Sequence, residues 1–387
     1  MDFSLDEALK DVQQKARAVA GEVLRPHAAE ADRTGTFVKA QMQALATHGF
    51  LGMLVPERDG GLGYGAAAYS VAMTEMAAAC ASSAVTMAVT NMVGDAIATF
   101  GSDEQKARFL PPLVSGELIA GAFALSEPGA GSDAASLKAT ARRAGSDYIL
   151  NGGKCWITSG DVAGVVLVMA KTDPSARAKG ISAFLVEREA PGLSVGRHED
   201  KMGLRASSTV TLSLEDVRVP ESQRLGPEGI GFKVAMRALD GGRIGIASQA
   251  VGLGHAALSF AREAAAKAGT SPDASSDGLG GLMDQASEFA LADMAMELDA
   301  ARLLALRAAG LKDRGVPFTK EASMAKLFAT EAANRAMQKA LAVAGPAGIT
   351  EDAPLARMLR DVRVTTIYEG TSEIQRLVVG REVLRGA

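Results

Sequence analysis

The run Thr209-Val210-Thr211-Leu212-Ser213-Leu214 alternates polar and aliphatic side chains. Successive side chains of a β-strand point to opposite faces, so this alternation predicts a strand that is buried on one face only. Other strand-like runs precede it, and the first of them leads into a predicted turn at Asn151-Gly152. These runs are Tyr148–Leu150, Val165–Met169 and Ile181–Val186.

Helical patterns flank this β region on both sides. Before it, apolar residues recur at helical spacing from Leu5 to Val23, and an alanine-rich segment runs from Ala66 to Phe100. A break is predicted near Pro111-Pro112. After Gly231, helical patterns return at residues 232–268, 283–313, 319–344 and 362–384.

This order predicts an α+β multidomain protein. Residues 1–120 are expected to form a helical domain, residues 121–231 a middle β domain, and residues 232–387 a helical bundle. A chain of 387 residues is long enough to bury a substantial core in each of three domains.

Composition excludes several classes of protein. The net charge is −4 and no long run of one sign occurs, so neither nucleic acid nor an anionic membrane is indicated as a partner. The acidic amino terminus lacks the features of a secretory or transit peptide, and no apolar stretch approaches the roughly 20 residues of a membrane span. Cys80 and Cys155 are predicted to be reduced core residues of a cytoplasmic protein. The four histidines show no metal-ligand spacing, so no metal is predicted.

The segment Ile367-Tyr368-Glu369-Gly370-Thr371-Ser372-Glu373-Ile374-Gln375 is the strongest candidate for chemistry. Glycine after the carboxylate of Glu369 allows a ligand to approach the backbone, and the hydroxyls beside it can donate hydrogen bonds. This combination suits proton abstraction next to a polarised carbonyl. From the residues alone, an acid that is solvated or caps a helix is the alternative.

Three further segments contain polar residues that are candidates for binding a ligand. The run Phe123–Asp133 contains Ser126, glycines and a proline, and is typical of a bent loop with free amides. Trp156-Ile157-Thr158 contains the single tryptophan, which on general grounds is a core residue. Asp240 and Arg243 are three residues apart, and an ordinary ion pair within a helix explains them without a ligand.

Taken together, these segments resemble the acyl-CoA dehydrogenase family from residue 5 to 385, most closely its short-chain type. The resemblance implies a helical amino-terminal domain, a middle β-barrel or sandwich and a carboxy-terminal four-helix bundle. It further implies FAD as cofactor and α,β-dehydrogenation of an acyl-CoA thioester, with Glu369 as the base. The implied acyl group is short or small and branched.

The resemblance also assigns contacts residue by residue. Those implied for FAD are Phe123, Leu125, Ser126, Gly131, Ser132, Trp156, Ile157, Thr158, Gln285, Thr371, Ser372 and Glu373. Those implied for the substrate are Ser132, Asp240, Arg243, Tyr368 and Gly370. The implied electron acceptor is an electron-transfer flavoprotein, with molecular oxygen as the alternative. A homo-oligomer, tetramer or dimer, is implied.

Two segments depart from the family pattern on the adenine side of the flavin. Residues 267–278 lack the arginine and phenylalanine that the family carries there, and Ala342–Gly348 lacks its glutamine and has a proline for a glycine. Three interpretations remain open: FAD held differently in a homo-oligomer, a hetero-oligomer whose partner supplies the missing contacts, or a divergent reaction such as oxygen-dependent oxidation. A non-catalytic partner subunit is the alternative of another class.

Overall fold

The computed structural model describes residues 4–267, 280–350 and 352–386. Helices form the amino-terminal part of the chain. Their bounds are α1 Glu7–Val19, α2 Ala28–Thr34, α3 Lys39–Thr47, α4 Gly65–Ala79, α5 Ala81–Phe100 and α6 Asp103–Val114. The prediction of helix across the alanine-rich segment is confirmed, with an interruption at Cys80.

The helical region ends at Val114, close to the break predicted near Pro111-Pro112, and both prolines lie inside the last turns of α6. A proline lacks the N–H that bonds to the carbonyl four residues earlier, and near the end of a helix few such bonds remain to be lost. The helix is stabilised at its other end, where Ser102 and Gln105 form a capping box. The chain enters the β region at Gly121.

The middle region is one seven-stranded sheet. Its hydrogen-bonded order is β1-β4-β2-β3-β7-β6, and β5 pairs with β4. The sheet curls around an aliphatic core that includes Leu150, Val166 and Leu212, while alternate residues of β4 face the helices. The strands are β1 Gly121–Ala124, β2 Thr140–Ala144, β3 Asp147–Thr158, β4 Val165–Lys171, β5 Ile181–Glu187, β6 Leu193–His198 and β7 Thr209–Pro220.

Asn151-Gly152 is not the turn that the sequence predicts. β3 continues through both residues, and the pairing of β3 with β7 shifts register between Leu150 and Gly152. Gly152 has φ 145°, and a Cβ there would lie 2.7 Å from the Cβ of Ala139. Gly152 therefore lies at a β-bulge that packs closely against a neighbouring segment. Besides turns, bulges and close backbone contacts are where glycine commonly occurs in strands.

The carboxy-terminal region is a helical bundle in which α7, α8 and α9 pack against each other, and α7 and α8 also pack against α4. Its core is filled largely by alanine, including Ala301, Ala305 and Ala308 of α8, beside the predicted core residue Leu298. Small side chains let the long helices approach closely. The helices are α7 Gly231–Lys267, α8 Gly280–Asp313, α9 Thr319–Ala344, α10 Pro354–Arg363 and α11 Ser372–Leu384.

Among the described residues, one helix, α7, is long and apolar enough to cross a membrane by length and composition. Such a helix was not predicted from the sequence. Of its most apolar window, 72% is buried inside the fold, so this apolar surface serves the bundle core. Cys80 and Cys155 are buried free thiols, as predicted. The exact domain boundaries at residues 120 and 231 stay a prediction.

Candidate active site

Glu369 lies in the loop between α10 and α11, and its side chain is directed against the bundle. The sequence predicted a single helix over residues 362–384, and this is wrong: α10 ends at Arg363, and α11 begins only at Ser372. Glu369 has φ 56° and Gly370 has φ 92°, both in the left-handed region that a right-handed helix cannot include. A non-glycine residue held in this conformation is a common feature of functional sites.

The carboxylate of Glu369 packs against helix α7 at Gly242. A Cβ at position 242 would lie 2.5 Å from Oε2 of Glu369 and 2.9 Å from its Cδ. Only glycine therefore leaves room for the carboxylate at this point of α7. The Oε2 atom is buried and has no hydrogen-bond partner within the described part of the chain. An unsatisfied buried acceptor is costly and calls for an explanation.

Burial raises the pKa of the Glu369 carboxyl from its ordinary value to about 7, although the positive charges of Arg243 and Lys326 oppose this shift. A base whose pKa lies near ambient pH is partly ionised and still binds a proton well. The environment of Glu369 therefore suits reversible proton transfer near neutral pH.

Arg243 and Asp240 form the predicted ion pair on α7, and the charge of Arg243 acts on the carboxylate of Glu369. Nη1 of Arg243 lies 2.5 Å from Oδ1 of Asp240 and donates also to Ser323, at 3.2 Å. Oδ2 of Asp240 accepts from the hydroxyl of Thr319 at 2.6 Å. Arg243 is buried, and a buried cation so fixed keeps its charge close to Glu369.

Lys326 of α9 is a site residue that the sequence analysis missed. Its side chain is fully buried, and its Nζ donates a hydrogen bond of 2.7 Å to the carbonyl of Gly370. Gln375 donates to the same carbonyl at 2.8 Å and to that of Glu369 at 3.1 Å. The sequence did contain a signal for this residue. Lys326 is a charged side chain within the otherwise apolar run Ala325-Lys326-Leu327-Phe328-Ala329, on the face of α9 where the neighbouring alanines are buried.

Two tyrosines lie close to Glu369. Tyr368 donates a hydrogen bond to Oε1 of Gln249, and Nε2 of Gln249 donates to the carbonyl of Ala81 at 3.0 Å. Burial raises the pKa of both Tyr69 and Tyr368, and the charge of Glu369 adds to the shift. Both rings therefore stay neutral. Tyr368 was predicted from the sequence, whereas Tyr69 and Gln249 were not.

The predicted flavin-ring segments meet in the β domain, where the amide of Cys155 donates to the carbonyl of Ser126 at 3.0 Å. Glu127 and Lys154 join the same two segments through a buried ion pair of 2.8 Å. A second register shift of β3 against β7, between Lys154 and Ile157, turns Trp156 outward. The tryptophan has φ 59° and is 62% exposed, so the expectation of a core residue does not hold.

The groups present fit FAD on the ring side. A large aromatic side chain that the fold leaves exposed provides a surface for a flat ring, and Ser126 and Thr158 stand beside it half-buried. The hydroxyls of Ser159 and Ser372 are buried without a hydrogen-bond partner among the described residues, which leaves them available to a polar ligand.

The other predicted contacts fall in several places. Phe123, Leu125 and Ile157 are at least partly buried in the β domain, while Gly131 and Ser132 are exposed on its loop. Thr371 caps α11 by accepting from the amide of Ile374, and Glu373 is exposed in the first turn. Gln285 is exposed on α8, which belongs to the bundle and not to the β domain.

Of the two adenine-side departures, one can be described. Helix α9 ends at Ala344, and a short 3₁₀ turn follows at Gly345–Gly348 with φ 55° at Gly345. The other departure, at residues 267–278, lies outside the described residues apart from Lys267, the last residue of α7.

Comparison with known proteins gives a match along the whole chain. Three family profiles align in succession: "Acyl-CoA dehydrogenase, N-terminal domain" at residues 6–117, its middle domain at 122–217 and its C-terminal domain at 229–384. The mitochondrial short-chain specific acyl-CoA dehydrogenase of Bos taurus is 47% identical over 382 residues, which cover 98% of this chain and 91% of the relative.

Solved structures agree with this match. Butyryl-CoA dehydrogenase from Megasphaera elsdenii superposes with a TM-score of 0.93 at 40% identity, and the alignment covers 100% of both chains. A chain solved in a study of the electron transferring flavoprotein of Acidaminococcus fermentans superposes with a TM-score of 0.94 at 38% identity, again over 100% of both chains.

Proposed function

The chain belongs to the acyl-CoA dehydrogenase family, and we propose that it oxidises the Cα–Cβ bond of a short acyl-CoA with Glu369 as the base. The protein is an oxidoreductase of the acyl-CoA α,β-dehydrogenation type. The observation that carries the assignment of the base is the carboxylate of Glu369, buried against Gly242 with an unpartnered Oε2 among the described residues.

The reaction requires two contributions from the protein. A proton must leave the α-carbon, and the thioester oxygen must receive hydrogen bonds while negative charge develops on it. Oε2 of Glu369 takes the α-proton in this proposal, since no donor of the described residues binds it and the pKa of the carboxyl is raised. Lys326 and Gln375 hold the loop that carries the base, and Arg243 keeps positive charge beside it.

FAD supplies, when bound, the acceptor for the hydride that leaves the β-carbon. In this proposal the contacts to its ring come from Phe123, Leu125, Ser126, Gly131, Ser132, Trp156, Ile157 and Thr158, and further contacts from Thr371, Ser372, Glu373 and Gln285. Ser132, Asp240, Arg243, Tyr368 and Gly370 are proposed to contact the substrate.

We propose a short acyl group because relatives that are 44–47% identical to this chain carry short-chain specificity in their names. An electron-transfer flavoprotein is the proposed electron acceptor, and the superposition on a chain from a study of such a flavoprotein supports it. The alternatives of an oxygen-dependent oxidase and of a non-catalytic subunit are not favoured by these relatives. We further propose a homo-oligomer, a tetramer or dimer, in the cytoplasm.

Glu369→Gln tests the proposal with little change of shape. Mixed anaerobically with butyryl-CoA, the flavin of this variant should bleach about 10²–10⁴-fold more slowly than that of the wild type, since general-base catalysis contributes this much. Glu7→Gln, on an exposed residue of α1, is the matched control and should reduce its flavin normally. Bleaching of the Glu369→Gln flavin at the wild-type rate would remove Glu369 from the mechanism.

A further inference from the structure

Lys326 is a buried cation that the reaction as proposed does not require for bond making. It lies on α9, and the residue is 0% exposed. Burying a lysine is costly unless its ammonium group has partners, and here the partner is the backbone carbonyl of Gly370 at 2.7 Å. The bond from this buried ammonium group to the loop of the base indicates a role in that loop.

The loop needs an anchor because its conformation is unfavourable. Glu369 is a non-glycine residue at φ 56°, a conformation that costs on the order of 1–3 kcal/mol unless surrounding contacts impose it. The carbonyl of Gly370 receives two donors, Nζ of Lys326 and Nε2 of Gln375, and Gln375 also binds the carbonyl of Glu369. These bonds fix the peptide groups on the carboxyl side of the base.

We propose that Lys326 is a positioning residue for the reaction: its ammonium group anchors the Gly370 carbonyl, and its charge favours the ionised form of Glu369. The proposal rests on Glu369 being the base. Gln375 provides the internal comparison, since it anchors the same carbonyl without carrying a charge.

The charges around Lys326 and Glu369 are consistent with this role. Lys326 faces Glu369 and Glu373, Arg243 of α7, and Glu331 of its own helix. Burial lowers the pKa of the Lys326 ammonium to about 7, and Glu369 opposes the shift. Lys326 and Arg243 together oppose the rise in the pKa of Glu369. Two groups so coupled titrate as a pair, and removing one should move the apparent pKa of the other.

The test uses the FAD-loaded enzyme and measures anaerobic flavin reduction by butyryl-CoA from pH 5.5 to 9. Lys326→Met keeps most of the side-chain volume and removes both charge and donor. We expect reduction to slow about 10- to 100-fold. We also expect the pH at half-maximal rate to rise by about one unit, since an opposite charge near a carboxylate lowers its pKa.

Two variants separate anchoring from charge. Gln375→Leu should slow flavin reduction and leave the pH midpoint in place, because only a neutral anchor is lost. Lys326→Arg keeps a permanent positive charge, so its midpoint should stay at or below that of the wild type. Lys339→Met, thirteen residues further along α9 and about 20 Å away, is the matched control and should match the wild type in rate and midpoint.

The proposal is overturned if Lys326→Met reduces flavin within twofold of Lys339→Met and with the same pH midpoint. Should Lys326→Met fail to fold, Lys326→Arg carries the test, and a raised midpoint in that variant overturns the proposal. Normal flavin reduction in Glu369→Gln would instead contradict the proposed function itself, so the two failures are distinguishable.

Discussion

Two glutamates that each lie near a buried lysine, one in the β domain and one in the bundle, differ in how completely their carboxylates are hydrogen-bonded. Glu127 accepts hydrogen bonds from Lys154 at 2.8 Å and from the amides of Lys138 and Ala139 at 2.6 and 3.0 Å. Lys154 binds the carbonyl of Leu125 as well. Lys326 is also buried, and Glu369 is partly buried with a buried Oε2 that has no partner in the described chain.

The pKa values of the two acids move in opposite directions as a result. Burial alone would raise the pKa of Glu127, but the hydrogen bond and charge of Lys154 and the two amides lower it below its ordinary value. Burial dominates at Glu369, where the pKa rises to about 7. The same two residue types therefore give a carboxylate whose ionised form is favoured in one place and a proton acceptor in the other, and hydrogen-bond satisfaction makes the difference.

Breaking the ion pair between Glu127 and Lys154 should have the largest effect on stability. Lys154→Met leaves the Glu127 carboxylate buried without its cation, and losing one partner of such a pair costs about 3–5 kcal/mol. Urea denaturation at pH 7 should show this loss in the free energy of unfolding. A loss below about 1 kcal/mol would mean that water reaches Glu127, and the contrast between the two pairs would fail.

Gly242→Ala should displace the carboxylate of Glu369 and have little effect on the Glu127–Lys154 pair. The new methyl group would lie 2.5 Å from Oε2 of Glu369, so the carboxylate must move, and we expect flavin reduction by butyryl-CoA to slow about 10²-fold. Gly241→Ala is the matched control, because the atoms nearest its methyl group are Nζ of Lys312 at 3.1 Å and Oδ2 of Asp95 at 3.8 Å, and no atom of Glu369 is among them. Equal rates in the two variants would show that the placement of Glu369 against α7 does not matter.

The pH dependence of stability should differ in sign between the two acids. Glu369 has a raised folded pKa, so the unfolded chain ionises first, and the fold loses stability as the pH rises from about 4.5 to about 7, by on the order of 2 kcal/mol. Glu127 has a lowered pKa, so its contribution is present above the unfolded pKa and is lost as the pH falls through the folded pKa.

Glu369→Gln should therefore raise the free energy of unfolding relative to the wild type at pH 8, and have little effect at pH 4. Glu127→Gln should lower it at pH 8. Denaturation of both variants at the two pH values checks the prediction. A Glu369→Gln variant that is less stable than the wild type at pH 8 would contradict the assignment of Glu369 as a destabilising buried charge.

Local pattern was a good guide where structure depends on neighbours in sequence. The alternation of residues 209–214 predicted a strand that is present within β7, and the pattern at 319–344 matches α9. It failed where a local signal has two meanings. Glycine at 152 served a bulge and not a turn, and the helical pattern at 362–384 could not show the left-handed residues that divide it.

The sequence by itself determined the order of helical and β regions and singled out Glu369, because periodicity and short motifs are properties of adjacent residues. Only the tertiary structure decided what Glu369 can do. The contact of Lys326 with Gly370 joins residues 44 apart, and Gly242 meets Glu369 from another helix. Burial, unpartnered oxygen atoms and shifted pKa values arise from such packing, since the dielectric environment of a charge depends on every segment that surrounds it.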